Sequence, residues 1–186
     1  MTKLILLLPG AALLAALACG GGGGGSTPSG PPATVLAYTS PAADAAQWQL
    51  VEDSAASTTT HLVLDLMAPS GAAGIGVTAV LTLNPAQARW SSASGAYATQ
   101  TLFQNPKVDL ASVSSDQSQL RILLGQPAGT AAVTYGDTPV VQVAMDLAAS
   151  ATQSSAVTLT ATQGGQLASS PTPGAITIQV GTLQTQ

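Results

Sequence analysis

The sequence predicts an all-β domain: a single antiparallel two-sheet sandwich that follows a signal peptide and a flexible linker. Apolar and polar residues alternate along much of the chain after residue 34, and a period of two is typical of half-buried strands. Short runs of Gly, Pro, Asn and Ser separate these segments. A convincing helical period is missing, since only SPAADAAQW and NPAQARW could hold a turn or two. Together these patterns predict roughly eight or nine strands.

The composition of the chain limits which partners it can bind and which metal sites it can form. Hydrophobic residues make up 46% of the chain and charged residues only 6%, which is not the profile of a disordered segment. Four Lys and Arg stand against eight Asp and Glu, so no nucleic-acid partner is expected. One Cys and one His supply too few soft ligands for a zinc or iron-sulfur site. We therefore expect no cofactor and no protein-made metal site.

The N-terminus has the pattern of an export sequence. Lys3 precedes an uncharged apolar run of 15 residues, Leu4 to Ala18, which is shorter than the roughly 20 residues of a membrane-spanning helix. Small residues, Ala16 and Ala18, lead into Cys19, the single cysteine. This arrangement resembles a bacterial lipoprotein signal, which implies removal of residues 1–18 and acylation of Cys19. A plain secretory peptide with an incidental cysteine and an uncleaved anchor are the alternatives.

The segment after Cys19 predicts a flexible tether, and its first residue predicts which membrane holds the anchor. Residues 19–33 are rich in Gly, Pro and Ser, and a chain of this length and composition reaches roughly 20 Å. Several acyl chains on Cys19 would hold the protein at a membrane permanently, because each buried methylene contributes about 0.8 kcal/mol. Gly20 follows the cysteine where inner-membrane lipoproteins commonly carry Asp. We therefore expect an outer-membrane anchor, with the domain of residues 34–186 facing the periplasm or the cell surface.

The alternation is strongest in six segments of the predicted domain. These are HLVLDLM, GIGVTAVLTL, QLRILL, VVQVAMDL, AVTLTAT and AITIQV, and weaker candidates are TVLAYT, WQLVE and YATQTLF. Each strong segment places Leu, Ile, Val, Met or Ala on one face. The sandwich core is therefore predicted to be aliphatic.

The order of these segments resembles the cohesin-like branch of β-sandwiches, which shares its architecture with several carbohydrate-binding modules. The resemblance is carried by HLVLDLMAP, GVTAVLTLNPAQARW, QLRILLG, TPVVQVAMDL, SAVTLTATQ and GAITIQV, and it covers most of residues 34–183. It implies a domain that docks a protein partner. The chain also resembles small Gram-negative lipoproteins whose domain begins LAYT-P, here Leu36 to Pro41, and ends IQVGTL; that resemblance implies no activity.

No catalytic residues are predicted, and the protein is not expected to be an enzyme. His61 and Asp65 share a predicted strand, and at about 3.3 Å per residue they are roughly 13 Å apart, beyond hydrogen-bond reach. No Gly-x-Ser-x-Gly elbow is present. An enzymatic interpretation would need His61 beside an acid from another strand.

The acidic residues are interpreted as scattered, solvated carboxylates. They are Asp44, Glu52, Asp53, Asp65, Asp109, Asp116, Asp137 and Asp146. A calcium site built from Asp109, Asp116 and Asp137 is the alternative, although no Asp-x-Asp-x-Asp-Gly spacing supports it.

Aromatic residues provide one candidate ligand contact. Trp90 lies beside Arg89, just past the Asn84-Pro85 turn, and an exposed ring there could stack on a sugar. Trp48 is expected to fill the core, and core filling by both tryptophans is the commoner outcome for such residues.

These observations predict an envelope lipoprotein with a non-enzymatic protein-interaction domain. Its expected partners are the membrane, through the lipid anchor, and an envelope protein. A surface carbohydrate-binding module that contacts polysaccharide through Trp90 is the second hypothesis.

Overall fold

The structure is a computed structural model that describes residues 30–93, 96–97, 102–103, 108–168 and 172–186. The predicted signal peptide, Cys19 and nearly all of the predicted tether lie outside these ranges, as does most of the weak strand candidate YATQTLF. All regular structure in the described ranges is β-strand. No helix in this part of the chain is long and apolar enough to cross a membrane.

The strands, numbered in chain order, are short. They are β1 (Leu36–Thr39), β2 (Trp48–Glu52), β3 (His61–Met67), β4 (Ala73–Gly74), β5 (Gly76–Leu83), β6 (Ala88–Trp90), β7 (Val108–Val113), β8 (Gln119–Gly125), β9 (Val133–Thr134), β10 (Val141–Leu147), β11 (Ser154–Val157), β12 (Leu159–Leu167), β13 (Gly174–Ala175), β14 (Ile178–Gln179) and β15 (Thr182–Thr185).

Two five-stranded sheets form the sandwich. The first, called the β3 sheet, has the order β14-β2-β3-β10-β6, and the second, called the β5 sheet, has the order β13-β12-β5-β8-β7. A three-stranded sheet, β1-β15-β11, and the two-stranded pair β4-β9 complete the described part. All pairings are antiparallel except β14 with β2. The predicted all-β sandwich is confirmed.

The core lies between the two five-stranded sheets and is mainly aliphatic. On β3, Leu62, Leu64 and Leu66 are at most 1% exposed, and they lie opposite buried residues of β10. On the β5 sheet, Val77 and Leu81 are fully buried opposite Leu124 and Leu120 of β8. The alternation in the sequence therefore identified the inward faces of these strands correctly.

Two predicted segments differ from the structure. AVTLTAT is split between β11 and β12, and the register of β12 against β5 shifts between Ala161 and Gln163. AITIQV contains only the end of β13 and the short β14. These segments pair with different strands along their length. No single face of either segment therefore stays buried from one end to the other.

Candidate functional site

The outer face of the β5 sheet carries a row of mainly apolar and small residues, called the apolar row, that crosses all five strands. Register places the residues of this row side by side: Leu110, Leu123, Thr78, Gly165 and Ala175. Leu110 is 52% exposed and Leu123 is 39% exposed, and these are the exposed large hydrophobic residues of the described chain. Because the two leucines lie directly opposite each other on β7 and β8, they form one continuous patch.

The alternation of β8 explains why Leu123 faces outward. Leu120, Ile122 and Leu124 point into the core, so Arg121 and Leu123 occupy the other face. A leucine on the polar face of a strand has no core role. Leu123 is therefore visible in QLRILL as an apolar residue on the polar face of its strand.

Small residues keep the remainder of the apolar row flat. A side chain at Gly165 would bring its Cβ within 2.8 Å of the Thr78 Oγ1 atom and within 2.9 Å of the Pro173 Cβ atom, closer than real Cβ atoms approach. A shallow cavity of about 450 Å³ lies beside this end of the row, lined in part by Thr78, Gly165 and Ala175. The row therefore has protruding leucines at one end and a depression at the other.

Polar residues occupy the outer-face positions next to the apolar row. Arg121 lies opposite Ser112 on β7 and Val80 on β5, and its Nε donates to the Gln119 side chain at 2.8 Å. Farther along, the Thr82 and Thr160 hydroxyls are 2.7 Å apart. The face is thus divided into an apolar half and a hydrogen-bonding half, and protein interfaces likewise combine apolar with polar surface.

The turn between β7 and β8 supplies a fixed negative charge near the polar half. Asp116 accepts hydrogen bonds from the Ser114 hydroxyl at 2.6 Å and from the Ser118 amide at 3.1 Å. These bonds lower the pKa of Asp116 to about 2. The carboxylate is therefore ionised at neutral pH, and its bonds hold the turn.

The structure brings His61 together with an acid from another strand. Asp146 lies opposite His61 in the β3–β10 register, and the His61 Nδ1 atom is 2.6 Å from the Asp146 Oδ1 atom. Asp65 lies four residues from His61 on the same strand, as predicted, and it is not part of this pair. Within the described residues, no hydroxyl or thiol hydrogen-bonds to the other ring nitrogen of His61. A base and its orienting acid are thus present, but no nucleophile is assembled with them.

The His61–Asp146 pair is partly exposed to solvent. The side chains of His61 and Asp146 are 35% and 46% exposed, and exposed ion pairs contribute little to stability or to shielding a reaction from water. Arg89 lies opposite Asp146 on its other side, on β6. We interpret His61 and Asp146 as a hydrogen-bonded pair at the surface.

The candidate ligand contact at Trp90 is wrong, and the core filling by both tryptophans is confirmed. Trp90 is fully buried because β6 pairs with β10 in a register that sets Trp90 opposite Met145, and Met145 lies opposite the core residue Leu62. Arg89 takes the outward position. Since neither face of the Trp90 ring is exposed, Trp90 cannot stack on a sugar in this conformation. Trp48 is also buried, at 4% exposed, as predicted.

Metal binding finds no support in the described residues. No group of three or more His, Cys, Asp or Glu side chains lies close enough to hold an ion. Asp116, one of the residues of the alternative calcium site, bonds to serines of its own turn.

Comparison with known proteins identifies the fold. No protein family matches the sequence, and no curated protein is significantly similar to it. A type II cohesin domain from the cellulosome of Acetivibrio cellulolyticus superposes with a TM-score of 0.51 at 8% identity, over 74% of this chain and 93% of that one. The sixth cohesin of scaffoldin B from the same organism, solved with a dockerin, gives 0.46 at 14% identity, over 72% and 99%. The chain has a cohesin-type β-sandwich fold.

Proposed function

We propose that this chain is a non-enzymatic docking module, held at the bacterial outer membrane by acylated Cys19, that binds an envelope protein through the apolar row of the β5 sheet. The exposed Leu110–Leu123 pair carries the proposal. A contiguous apolar patch that is exposed on a sheet face is a candidate surface for contact with another protein. Among the described residues the apolar half of this face carries no charged side chain, so a partner need not desolvate any of those side chains as an ion to cover it.

The apolar row also has the shape that a protein partner needs. Its flat end at Gly165 and Ala175 lets another backbone approach the sheet, and the leucines provide anchors that can enter a partner pocket. Covering a leucine that is about half exposed gains roughly 0.8 to 1.5 kcal/mol. Two such anchors therefore contribute about one to two factors of ten to the affinity of a complex.

Removal of the two leucines tests the docking face. The double variant Leu110→Ser/Leu123→Ser is expected to weaken partner binding at least about tenfold, because two apolar anchors are lost. Its thermal unfolding should stay near that of the parent chain, since both side chains are exposed. The measurement is retention of a specific envelope protein on the immobilised chain, followed by titration of that protein once purified.

A matched control separates the docking face from general surface effects. Arg89→Ser removes a long exposed side chain from the opposite sheet and should leave partner binding unchanged. Ala175→Glu, which adds a charge to the flat end of the apolar row, should weaken binding without altering the leucines. Equal binding by the parent and the double variant would show that the partner does not use this face.

The lipid anchor is supported by the apolar run of 15 residues before Cys19 and the Gly-rich segment after it. Mass spectrometry of the N-terminal peptide is expected to find Cys19 as the first residue, carrying a diacylglyceryl group and an amide-linked acyl chain. Cys19→Ser should move the protein from the outer-membrane fraction to the soluble fraction, since the anchor is lost. A free thiol at Cys19 in the mature chain would disprove this part of the proposal.

A further inference from the structure

Strand β7 forms one edge of the β5 sheet, and among the described residues it pairs only with β8. The other edge strands of the two five-stranded sheets are β13, β14 and β6, with two, two and three residues, whereas β7 has six. Natural sheets protect their edges with short strands, Lys, Pro or bulges. β7 has the sequence VDLASV and an unshifted register, so it uses none of these devices. Its single charged residue is Asp109.

The backbone of β7 has unpaired groups along this edge. The Ser114 amide donates to the Gln119 carbonyl at 2.9 Å, so these two residues form a hydrogen-bonded pair at the end of the β7–β8 ladder. Hydrogen-bonded pairs alternate with other pairs along an antiparallel ladder. The N–H and C=O groups of Asp109, Ala111 and Val113 therefore turn away from β8. No described residue bonds to these groups, so three donors and three acceptors are open to another strand.

Apolar surface is exposed on both sides of the same strand. Leu110 is 52% exposed on the outer face. On the inner face, Ala111 and Val113 pack against the core but are only partly buried. A strand added at this edge would pair with the open backbone and would also cover apolar side chains on both faces.

We propose that β7 pairs antiparallel with β7 of a second copy of this chain, with Ala111 of each copy on the twofold axis. In this register Asp109 lies opposite Val113 of the second copy, and Val113 lies opposite its Asp109. These three pairs each exchange two hydrogen bonds, so every outward N–H and C=O group of the three residues finds a partner. The strand is thus complementary to itself, as a twofold interface requires.

The residue types along β7 also suit a second copy as the occupant. The two Asp109 residues are four positions out of register, roughly 13 Å apart along the strands, so like charges do not lie opposite each other. Leu110 lies opposite Ser112 of the second copy and diagonal to its Leu110, at roughly 7 to 8 Å, within reach of long side chains. Alanine at the axis leaves the two backbones free to approach.

The pairing joins the two β5 sheets into one sheet of ten strands. Residues opposite each other in antiparallel strands lie on the same face of a sheet, so both apolar rows lie on one side of the joined sheet. The outer faces stay open. The proposal therefore concerns the edge of the sheet and does not depend on the docking function proposed above.

Disulfide trapping of the full chain in native membranes tests the register. Ala111→Cys is expected to form a covalent dimer under mild oxidation, because the Cα atoms of a hydrogen-bonded pair lie about 5.5 Å apart, which a disulfide can span. Leu110→Cys and Ser112→Cys should crosslink when the two variants are co-expressed, and much less when either is present alone. The parent chain, whose single cysteine is Cys19, gives the background.

Three results of this experiment would overturn the proposal. The first is no dimer of Ala111→Cys above the parent background. The second is equal crosslinking by each of the three single variants, which would indicate random collisions. The third is a crosslink from position 111 to a different protein alone, which would show that a strand of another protein occupies this edge.

Ala111→Pro tests the backbone pairing in solution. Sedimentation equilibrium of the full chain, with Cys19→Ser to remove the acylation site, should show a mass that rises from one chain towards two as the concentration approaches about 1 mM. Proline removes the N–H donor at the axis from both copies, so the dimer should weaken at least about tenfold. Thermal unfolding should stay near that of the parent, since proline is tolerated on an edge strand where its nitrogen faces solvent.

Ala111→Ser is the matched control, because it changes the same side chain and keeps the N–H group. It should dimerise like the parent. A parent chain that stays monomeric up to about 1 mM, or equal dimerisation by Ala111→Pro, would overturn the proposal. The disulfide experiment decides the question if Ala111→Pro does not fold. Neither readout requires an envelope partner, so a negative result here is distinct from a failure of the docking face.

Discussion

Trp90→Ala is expected to lower the free energy of unfolding by about 3 to 5 kcal/mol, the usual cost of removing a large aromatic side chain from a core. Trp90 is fully buried between the sheets, and it continues a row of core side chains formed by Leu62 and Met145. The cavity left by the ring cannot close, because strands on both sides fix its walls. Chemical denaturation followed by circular dichroism measures the loss.

Trp90→Phe is the control for this prediction. The indole Nε1 atom of Trp90 is buried without a hydrogen-bond partner among the described residues, so the N–H group adds no stability that phenylalanine would forfeit. The loss should therefore be smaller than for alanine, about 1 to 2 kcal/mol from the reduced volume. If Trp90→Ala unfolds like the parent chain, the ring does not lie in the core.

Gly181→Ala is the second substitution with a large expected effect, a loss of about 2 to 3 kcal/mol through overpacking. A Cβ atom at Gly181 would overlap the Thr39 carbonyl oxygen and lie 2.9 Å from the Tyr38 ring. The Gly181 amide donates to the Tyr38 hydroxyl at 2.6 Å, and that hydroxyl donates to the Leu50 carbonyl at 3.0 Å. Relief of the overlap would break this chain of bonds between β1, β2 and the segment before β15. Thermal and chemical unfolding measure the effect.

The Tyr38 side chain shows why the structure cannot adjust easily around Gly181. Tyr38 is 6% exposed, and burial raises its pKa to about 12. Gly174→Ala serves as the control, because its Cβ would meet only the Gln166 carbonyl oxygen at 3.7 Å, an ordinary contact. If Gly181→Ala leaves the free energy of unfolding unchanged while Gly174→Ala lowers it, the packing described for β1 and β15 is contradicted.

The strands that pack through one apolar face could be predicted from the sequence. β3 and β2 span the same residues as the segments HLVLDLM and WQLVE, because a half-buried strand imposes a period of two on its own residues. β7 and β15 were not predicted. Leu110 on β7 is exposed and TLQT on β15 alternates only one leucine with polar residues, so neither strand has a strong apolar face of its own.

The candidate sites depend on pairings between strands that are distant in sequence, and this limited their prediction. His61 and Asp146 are 85 positions apart, and only the β3–β10 register brings them together. The position of Trp90 after a turn left both an exposed and a buried ring open, and only the pairing of β6 with β10 shows that it points inward. Leu123 was visible on the polar face of its strand, but its neighbour Leu110 required the β7–β8 register.

Photo-crosslinking at Leu123 tests the central claim, which is that the apolar row of the β5 sheet docks a protein. A photoreactive amino acid replaces Leu123 in the full chain, and a second version carries it at Arg89 on the opposite sheet. The account predicts a crosslink to one envelope protein from position 123 in native membranes, and none to that protein from position 89. The absence of any protein adduct from position 123, or the same adduct from both positions, would contradict it.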